Sequence, residues 1–261
     1  MLRGVLIALA CVLSVAALAC GGPGVARVGV IALPQGAPAN VYVALGDSIA
    51  DGSGASDHEA TDYVALVHAA LRKRIDGLEL VSLAKGGATT DDLIAEQLPR
   101  ALELLRAGNV RLVTVTIGGN DLNQLQNSPN VQACLDDPAS AACGLTDILV
   151  DVEGRLDTIL RQLREAGPDA TVAIEVYPNL FSGTGHRFEQ PAETSFQMLD
   201  DVILRVAQRN DHIVVADPRA PFAGHGGTLT HTLDPTPDFH PNDGGYRIIA
   251  DAFLTALGID R

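Results

Sequence analysis

Four short segments of this 261-residue chain carry side chains whose types and placement could support nucleophilic chemistry. The first is Gly46-Asp47-Ser48, which follows an apolar run at residues 41–45. A serine hydroxyl is a poor nucleophile at neutral pH unless a base removes its proton. The same tripeptide also reads as a turn with Ser48 as a helix N-cap. The second segment is Ala84-Lys85-Gly86-Gly87-Ala88-Thr89-Thr90. A Gly-rich turn opening a helix points its N–H groups outward, where they can stabilise an anion. It also serves simply as a helix start with a Thr cap, and it lacks the Gly-Lys-Ser/Thr of a P-loop. The third is Gly118-Gly119-Asn120-Asp121, where two glycines permit close backbone approach and Asn120 offers an amide donor. Ordinary turn chemistry accounts for the same residues. The fourth is Asp238-Phe239-His240-Pro241-Asn242-Asp243. Pro241 biases His240 toward an extended backbone, and Asn242 is a good N-cap for a helix beginning at Asp243. A histidine on such a stiff loop can be aimed at a neighbouring strand end, although by itself it is a surface loop residue.

The elements that must position these groups alternate. Strand-like apolar runs occupy residues 41–45, 78–83, 111–117, 171–176 and 212–216. Helical periodicity covers 62–75, 91–106, 146–166, 192–210 and 243–257, with Pro99 expected to kink or break the second. The most amphipathic stretch places Leu149, Val152, Leu156, Ile159, Leu160 and Leu163 on one face. Strict β-α alternation predicts a parallel sheet with helices on both faces. Three connections, at 118–145, 177–191 and 217–241, are long and follow strand ends, where α/β sheets bind ligands.

The four blocks together, in this order and spacing, resemble the SGNH (GDSL-type) serine esterase and lipase family over residues 40–257. The resemblance implies a three-layer α/β/α sandwich with a five-stranded parallel sheet of flavodoxin-like type. It implies Ser48 as nucleophile, His240 as general base, and an oxyanion hole made by Ser48, Gly87 and Asn120. Each donor of such a hole contributes about 10²–10³ in turnover. The implied reaction is hydrolysis of a small-molecule or lipid ester through an acyl-Ser48 intermediate, with no cofactor and no metal. One departure from the family pattern concerns the acid, which usually stands three residues before the histidine. That position is Pro237; Asp238, two before, is the nearest substitute, with Asp234 six before and a backbone carbonyl as the other choice. A non-catalytic cell-envelope binding lipoprotein on the same scaffold is the alternative. A metal-dependent phosphate-ester hydrolase is a third reading. Neither G-x-S-x-G around Ser48 nor a Rossmann G-x-G-x-x-G after the first strand is present.

Composition narrows the setting. Lys+Arg is 18 against Asp+Glu 32, a formal net charge of -14 that repels phosphate backbones and disfavours nucleic acid as a partner. Trp is absent, which mildly disfavours polysaccharide binding. Residues 1–19 have the pattern of a signal peptide: Arg3, an apolar run, then Ala17-Leu18-Ala19 before Cys20. The same residues resemble a bacterial lipobox with Ala17 where Leu is usual. Lipidation of Cys20 would attach the protein to a membrane; otherwise it is freely secreted, or residues 1–19 remain as an uncleaved anchor. Residues 20–39 read as a flexible tether and 40–261 as one hydrolase domain. The chain is therefore expected to be exported, to the cell envelope or beyond. Removal of the leader would leave Cys134 and Cys143 as the pair within the domain, suited to a disulfide in an oxidising compartment. Of the remaining histidines, His225 and His231 read as solvated or substrate-lining, and no metal motif is present. Asp47 and Asp121 read as organisers of their own loops.

Overall fold

The computed structural model describes residues 40–127 and 129–259; the expected signal peptide (1–19) and tether (20–39), with Cys20, lie outside them. Five strands form one parallel sheet: β1 (Asn40–Gly46), β2 (Leu78–Ser82), β3 (Val110–Thr116), β4 (Thr171–Glu175) and β5 (Ile213–Ala216). Their order is β2-β1-β3-β4-β5. This is the expected flavodoxin-like sheet, and its direction of travel reverses once, between β2 and β3. β1, β3 and β4 are buried on both faces, which explains their unbroken apolar runs.

Right-handed crossovers assign the helices to faces. The step from β1 to β2 runs one way and carries α1 (Ser48–Asp51) and α2 (Tyr63–Leu71). The later steps run the other way. They carry α3 (Thr90–Asp92), a π-turn (Leu93–Gln97) and α4 (Leu98–Arg106), then a 3₁₀ segment (Gly119–Asn127), α5 (Val131–Asp136) and α6 (Leu145–Ala166), then α7 (Glu189–Arg209). After β5 come the short α8 (Arg219–Phe222) and α9 (Gly226–Leu229), then α10 (Asp243–Ala256). α10 packs on α2, while α6 lies between α4 and α7, giving one helical layer on each side of the sheet.

Pro99 lies in the first turn of α4, directly after a π-turn, so the helical run over residues 90–106 is irregular where a kink or break is expected at Pro99. The wide π-turn before it absorbs the irregularity and turns Gln97 into the core. α7 begins three residues earlier than its apolar periodicity indicates, because Pro191 is tolerated in a first turn. The long connection after β3 holds the 3₁₀ segment and α5, and is cross-linked by a Cys134–Cys143 disulfide.

The apolar face of α6 includes Leu149, Val152, Leu156, Ile159, Leu160 and Leu163, all buried. Leu156 is fully enclosed. Leu156→Ala is expected to cost about 2–5 kcal/mol of stability, read as a lower urea midpoint with an unchanged slope.

Candidate active site

Ser48 follows β1 directly, and the turn that presents it depends on Gly46. A Cβ on Gly46 would stand 2.2 Å from the Thr116 carbonyl oxygen, and φ there is +145°. Gln97 holds this glycine from the side: its Oε1 accepts from Gly46 N–H at 2.9 Å and its Nε2 donates to the Gly46 carbonyl at 2.8 Å. Asp47 is the N-cap of α1, accepting from Ile49 N–H at 2.9 Å. The Ser48 hydroxyl is therefore not the α1 cap.

That hydroxyl meets His240. The Ser48 Oγ to His240 Nε2 distance is 2.8 Å, and His240 Nδ1 lies 2.5 Å from Asp238 Oδ1. Pro237 takes no part. Asp234 faces a different ring, with its Oδ2 2.6 Å from His231 Nδ1. The loop is framed by Asn242, which caps α10 by accepting from Gly244 and Gly245 N–H at 2.9 and 3.2 Å. Phe239 points to the loop after β4, with its ring centroid 4.9 Å from Phe181 and 5.8 Å from His186.

The turns after β2 and β3 are joined to each other. Asn120 Nδ2 donates to the Ala88 carbonyl at 3.1 Å, and Asp121 accepts from Thr90 N–H at 2.9 Å and its hydroxyl at 2.6 Å. Lys85 N–H donates to the Gly46 carbonyl at 3.1 Å, which ties the Gly-rich turn to the end of β1. Gly87 has φ +78°, and the space a Cβ would occupy there is open. Gly87, Asn120 and Ser48 thus come from three adjacent strand ends held in one hydrogen-bonded cluster. Thr89 caps the following helix in a capping box with Asp92.

A family model, the GDSL-like Lipase/Acylhydrolase family, matches residues 44–248, more than half of the chain and inclusive of all four blocks. This chain belongs to that family. Its class of reaction is ester hydrolysis. A lipase of Streptomyces rimosus is 29% identical over 230 residues, spanning 78% of this chain and 81% of that protein. Among solved structures, the phospholipase A1 of Streptomyces albidoflavus superimposes with a TM-score of 0.62 at 25% identity, over 84% of this chain and 98% of that one. The acetylxylan esterase of Geobacillus stearothermophilus shares the fold, with a TM-score of 0.63 at 20% identity over 85% and 95% of the two chains. Among the described residues, no group of three or more His, Cys, Asp or Glu side chains is arranged to hold a metal ion.

Three contributors to this GDSL site were not legible from its motifs. Gln97 lies within a helix and carries no local signal. Tyr177, just past β4, donates its hydroxyl to Asp47 Oδ2 at 2.6 Å, a contact between residues far apart in sequence. His231, expected to be solvated or substrate-lining, is partly exposed, but both its ring nitrogens are also engaged, Nε2 lying 2.8 Å from the Gly54 carbonyl. Only its proximity to Asp234 in the sequence hinted at this.

The floor beneath the site carries buried carboxyl groups. Burial pushes the Asp47 carboxyl up to about 6, against the hydrogen bonds from Tyr177 and Ile49 that favour its charged form. Burial also raises Asp200 to about 7, opposed by the Tyr177 N–H and Arg219. Both values lie above the ordinary 3.8 for aspartate, so folding favours the protonated forms. Their stabilising contribution is complete below the ordinary value and is lost as pH rises through about 6 and about 7. Asp92, Asp217 and Asp243 are held below their ordinary value by hydrogen bonds, so their contributions disappear in stronger acid. The thermal midpoint is therefore expected to be highest near about pH 4–5 and to fall toward pH 7. Asp200→Asn should flatten that fall, as measured by calorimetry across pH.

Proposed function

We propose that this GDSL family member is a carboxylic ester hydrolase of lipase or esterase type that works through an acyl-Ser48 intermediate. The observation that carries the reading is the chain of contacts from Ser48 Oγ to His240 Nε2 and from His240 Nδ1 to Asp238. His240 takes the Ser48 proton as Oγ attacks the ester carbonyl carbon. The tetrahedral oxyanion is received by the Ser48 and Gly87 N–H groups and the Asn120 amide. One N–H of that amide is committed to the Ala88 carbonyl, which fixes its plane and leaves the other for substrate. Collapse expels the alcohol, which takes the proton from His240. Water, deprotonated by His240, then attacks the acyl carbon; collapse releases the acid and returns the proton to Ser48. Asp238 holds the imidazole in the tautomer that presents Nε2 to Ser48 and stabilises its charged form. No cofactor enters this sequence.

An apolar acyl group suits the rim of the site. Among the described residues the exposed large hydrophobics are Val150, Leu233 and Phe239, and two of the three lie on the loop that carries His240. Leu233 is 60% exposed and Phe239 42%. We further propose export, consistent with the Cys134–Cys143 disulfide. Removal of residues 1–19 and lipidation of Cys20 complete this reading of the N-terminus. No described helix is long and apolar enough to cross a membrane.

The catalytic reading is tested with a fluorophosphonate and with p-nitrophenyl esters of graded chain length. Wild-type protein is expected to be labelled at Ser48, and Ser48→Ala to remain unlabelled. His240→Ala should reduce kcat by about 10⁵–10⁶ and Asp238→Ala by about 10²–10⁴. Asn120→Ala should cost about 10²–10³. Undiminished turnover in His240→Ala rules the mechanism out. The butyrate ester is expected to outperform the acetate, with the preference narrowed in Phe239→Ala. Intact mass of membrane-extracted protein reads the N-terminus: a diacylglyceryl adduct on Cys20 is the expected result.

A further inference from the structure

His231 is the second histidine of the loop before α10, and every polar group it has is used. Ring Nδ1 lies 2.6 Å from Asp234 Oδ2, and ring Nε2 lies 2.8 Å from the Gly54 carbonyl oxygen. A carbonyl oxygen only accepts, so Nε2 bears a proton. A carboxylate also accepts, so Nδ1 bears one too. A ring donating from both nitrogens is an imidazolium.

The main chain of His231 grips the proposed catalytic pair. Its N–H donates to the His240 carbonyl at 3.1 Å, and its carbonyl accepts from Asp238 N–H at 3.2 Å. The next backbone pair outward is the bridge between Thr230 and Pro241. At the other end of the ring, Gly54 lies in the segment that follows α1 and Ser48. It sits so close to the histidine loop that a Cβ there would be 2.7 Å from the Pro241 carbonyl oxygen and 2.9 Å from His240 Cβ. One residue therefore joins three things: the backbone of the acid, the backbone of the base, and the segment leading out of the nucleophile's helix.

We propose that His231, as an imidazolium, is a positioning residue that straps the Asp238–His240 loop to the segment after Ser48, so that losing its proton loosens the site. The proposal rests on the reading of Ser48 and His240 as the reacting pair. The charged groups facing the ring are Asp234 and Asp238 from its own loop and Asp243 from the first turn of α10. The segment after α1 contributes the Gly54 carbonyl. All four favour the cation, led by the Asp234 hydrogen bond, and outweigh a mild burial that opposes it. The imidazole is accordingly held above its ordinary value of 6.5. A raised value means the strap is complete below the ordinary value and is lost as pH rises through the folded one. A neutral ring has one N–H for two acceptors, so His231 must be charged to hold both Asp234 and Gly54, and its loss of a proton should set the alkaline limb of activity.

The test combines the pH profile of kcat/KM on p-nitrophenyl butyrate with nitrogen-15 NMR of the imidazole rings in the intact protein. Wild type, Asp234→Asn and His231→Gln are compared after circular dichroism confirms folding. Asp234→Asn is expected to move the alkaline limb to lower pH, because the anion that favours the cation is gone. His231→Gln, which keeps a donor for Gly54 but cannot titrate, should abolish that limb. It should also lower kcat roughly 10- to 100-fold with KM little changed. A purely structural role would depress the rate equally at every pH and leave the limb in place. A limb unmoved in Asp234→Asn, or retained in His231→Gln, overturns the proposal. A protein inert toward every ester would instead defeat the hydrolase reading. In that case the NMR still decides the strap: a His231 ring doubly protonated at about pH 7, where an ordinary imidazole is mostly neutral, supports it, and a neutral one overturns it.

Discussion

The structure depends on a seam between two segments that are far apart in the chain. The segment after α1 and the loop leading into α10 must lie against each other, or Ser48 and His240 are strangers. Several hydrogen bonds close that seam. The Gly54 carbonyl meets the His231 ring, the Ser53 carbonyl accepts from the Tyr246 hydroxyl at 2.5 Å, and Asp243 accepts from the Ser56 N–H and hydroxyl and from Thr61. Gly54 has φ +88°, and its missing side chain is what allows the contact to be so close. Beneath the seam, Tyr63 on α2 stacks on Phe253 of α10 at 5.0 Å. The apolar contact brings α2 and α10 together, and the hydrogen bonds set the register of the two segments.

The sheet supplies the rest of the geometry. Parallel strands all point their carboxyl ends the same way, so the turns after β1, β2 and β3 arrive side by side because the strand order places β1 between β2 and β3. Polar contacts then lock these turns to one another: Gln97 to Gly46, Lys85 to Gly46, Asn120 to Ala88, Asp121 to Thr90. Arg155 of α6 approaches the buried Asp121 to 3.8 Å, tying the turn to the helical layer. A rigid set of backbone donors needs no rearrangement when negative charge develops, which is the physical basis of oxyanion stabilisation.

Buried carboxyl groups run below this surface. Glu175, at the end of β4, is fully buried, accepts from the Thr116 hydroxyl at 2.8 Å, and is raised well above its ordinary range by burial. The nearby Asp47 and Asp200 carboxyls push it in the same direction as burial. Two acids in the histidine loop follow a different logic. Asp234 and Asp238 are half exposed, and each takes one histidine. The family's usual position for the acid is occupied here by Pro237, and the displaced carboxylate reaches the ring from one residue closer. An extended strand would point Asp238 and His240 to the same side, which is why a separation of two serves.

Much of this was legible in the sequence. The alternating apolar runs specify a parallel α/β sheet because β1, β3 and β4 are buried on both faces and α6 on one, and those burial patterns print directly as periodicity. The blocks around Ser48, Gly87, Asn120 and His240 were legible because each is a local turn with its own Gly, Pro or cap chemistry. What the sequence could not decide is which partner each polar group takes. The choice of Asp238 for His240 and Asp234 for His231, the inward turn of Gln97, and the Tyr177 contact to Asp47 all join residues whose separation along the chain says nothing about their distance in space. Local chemistry is written in neighbouring residues. Pairing across the seam is set by packing of whole helices on the sheet, and only the tertiary structure resolves it.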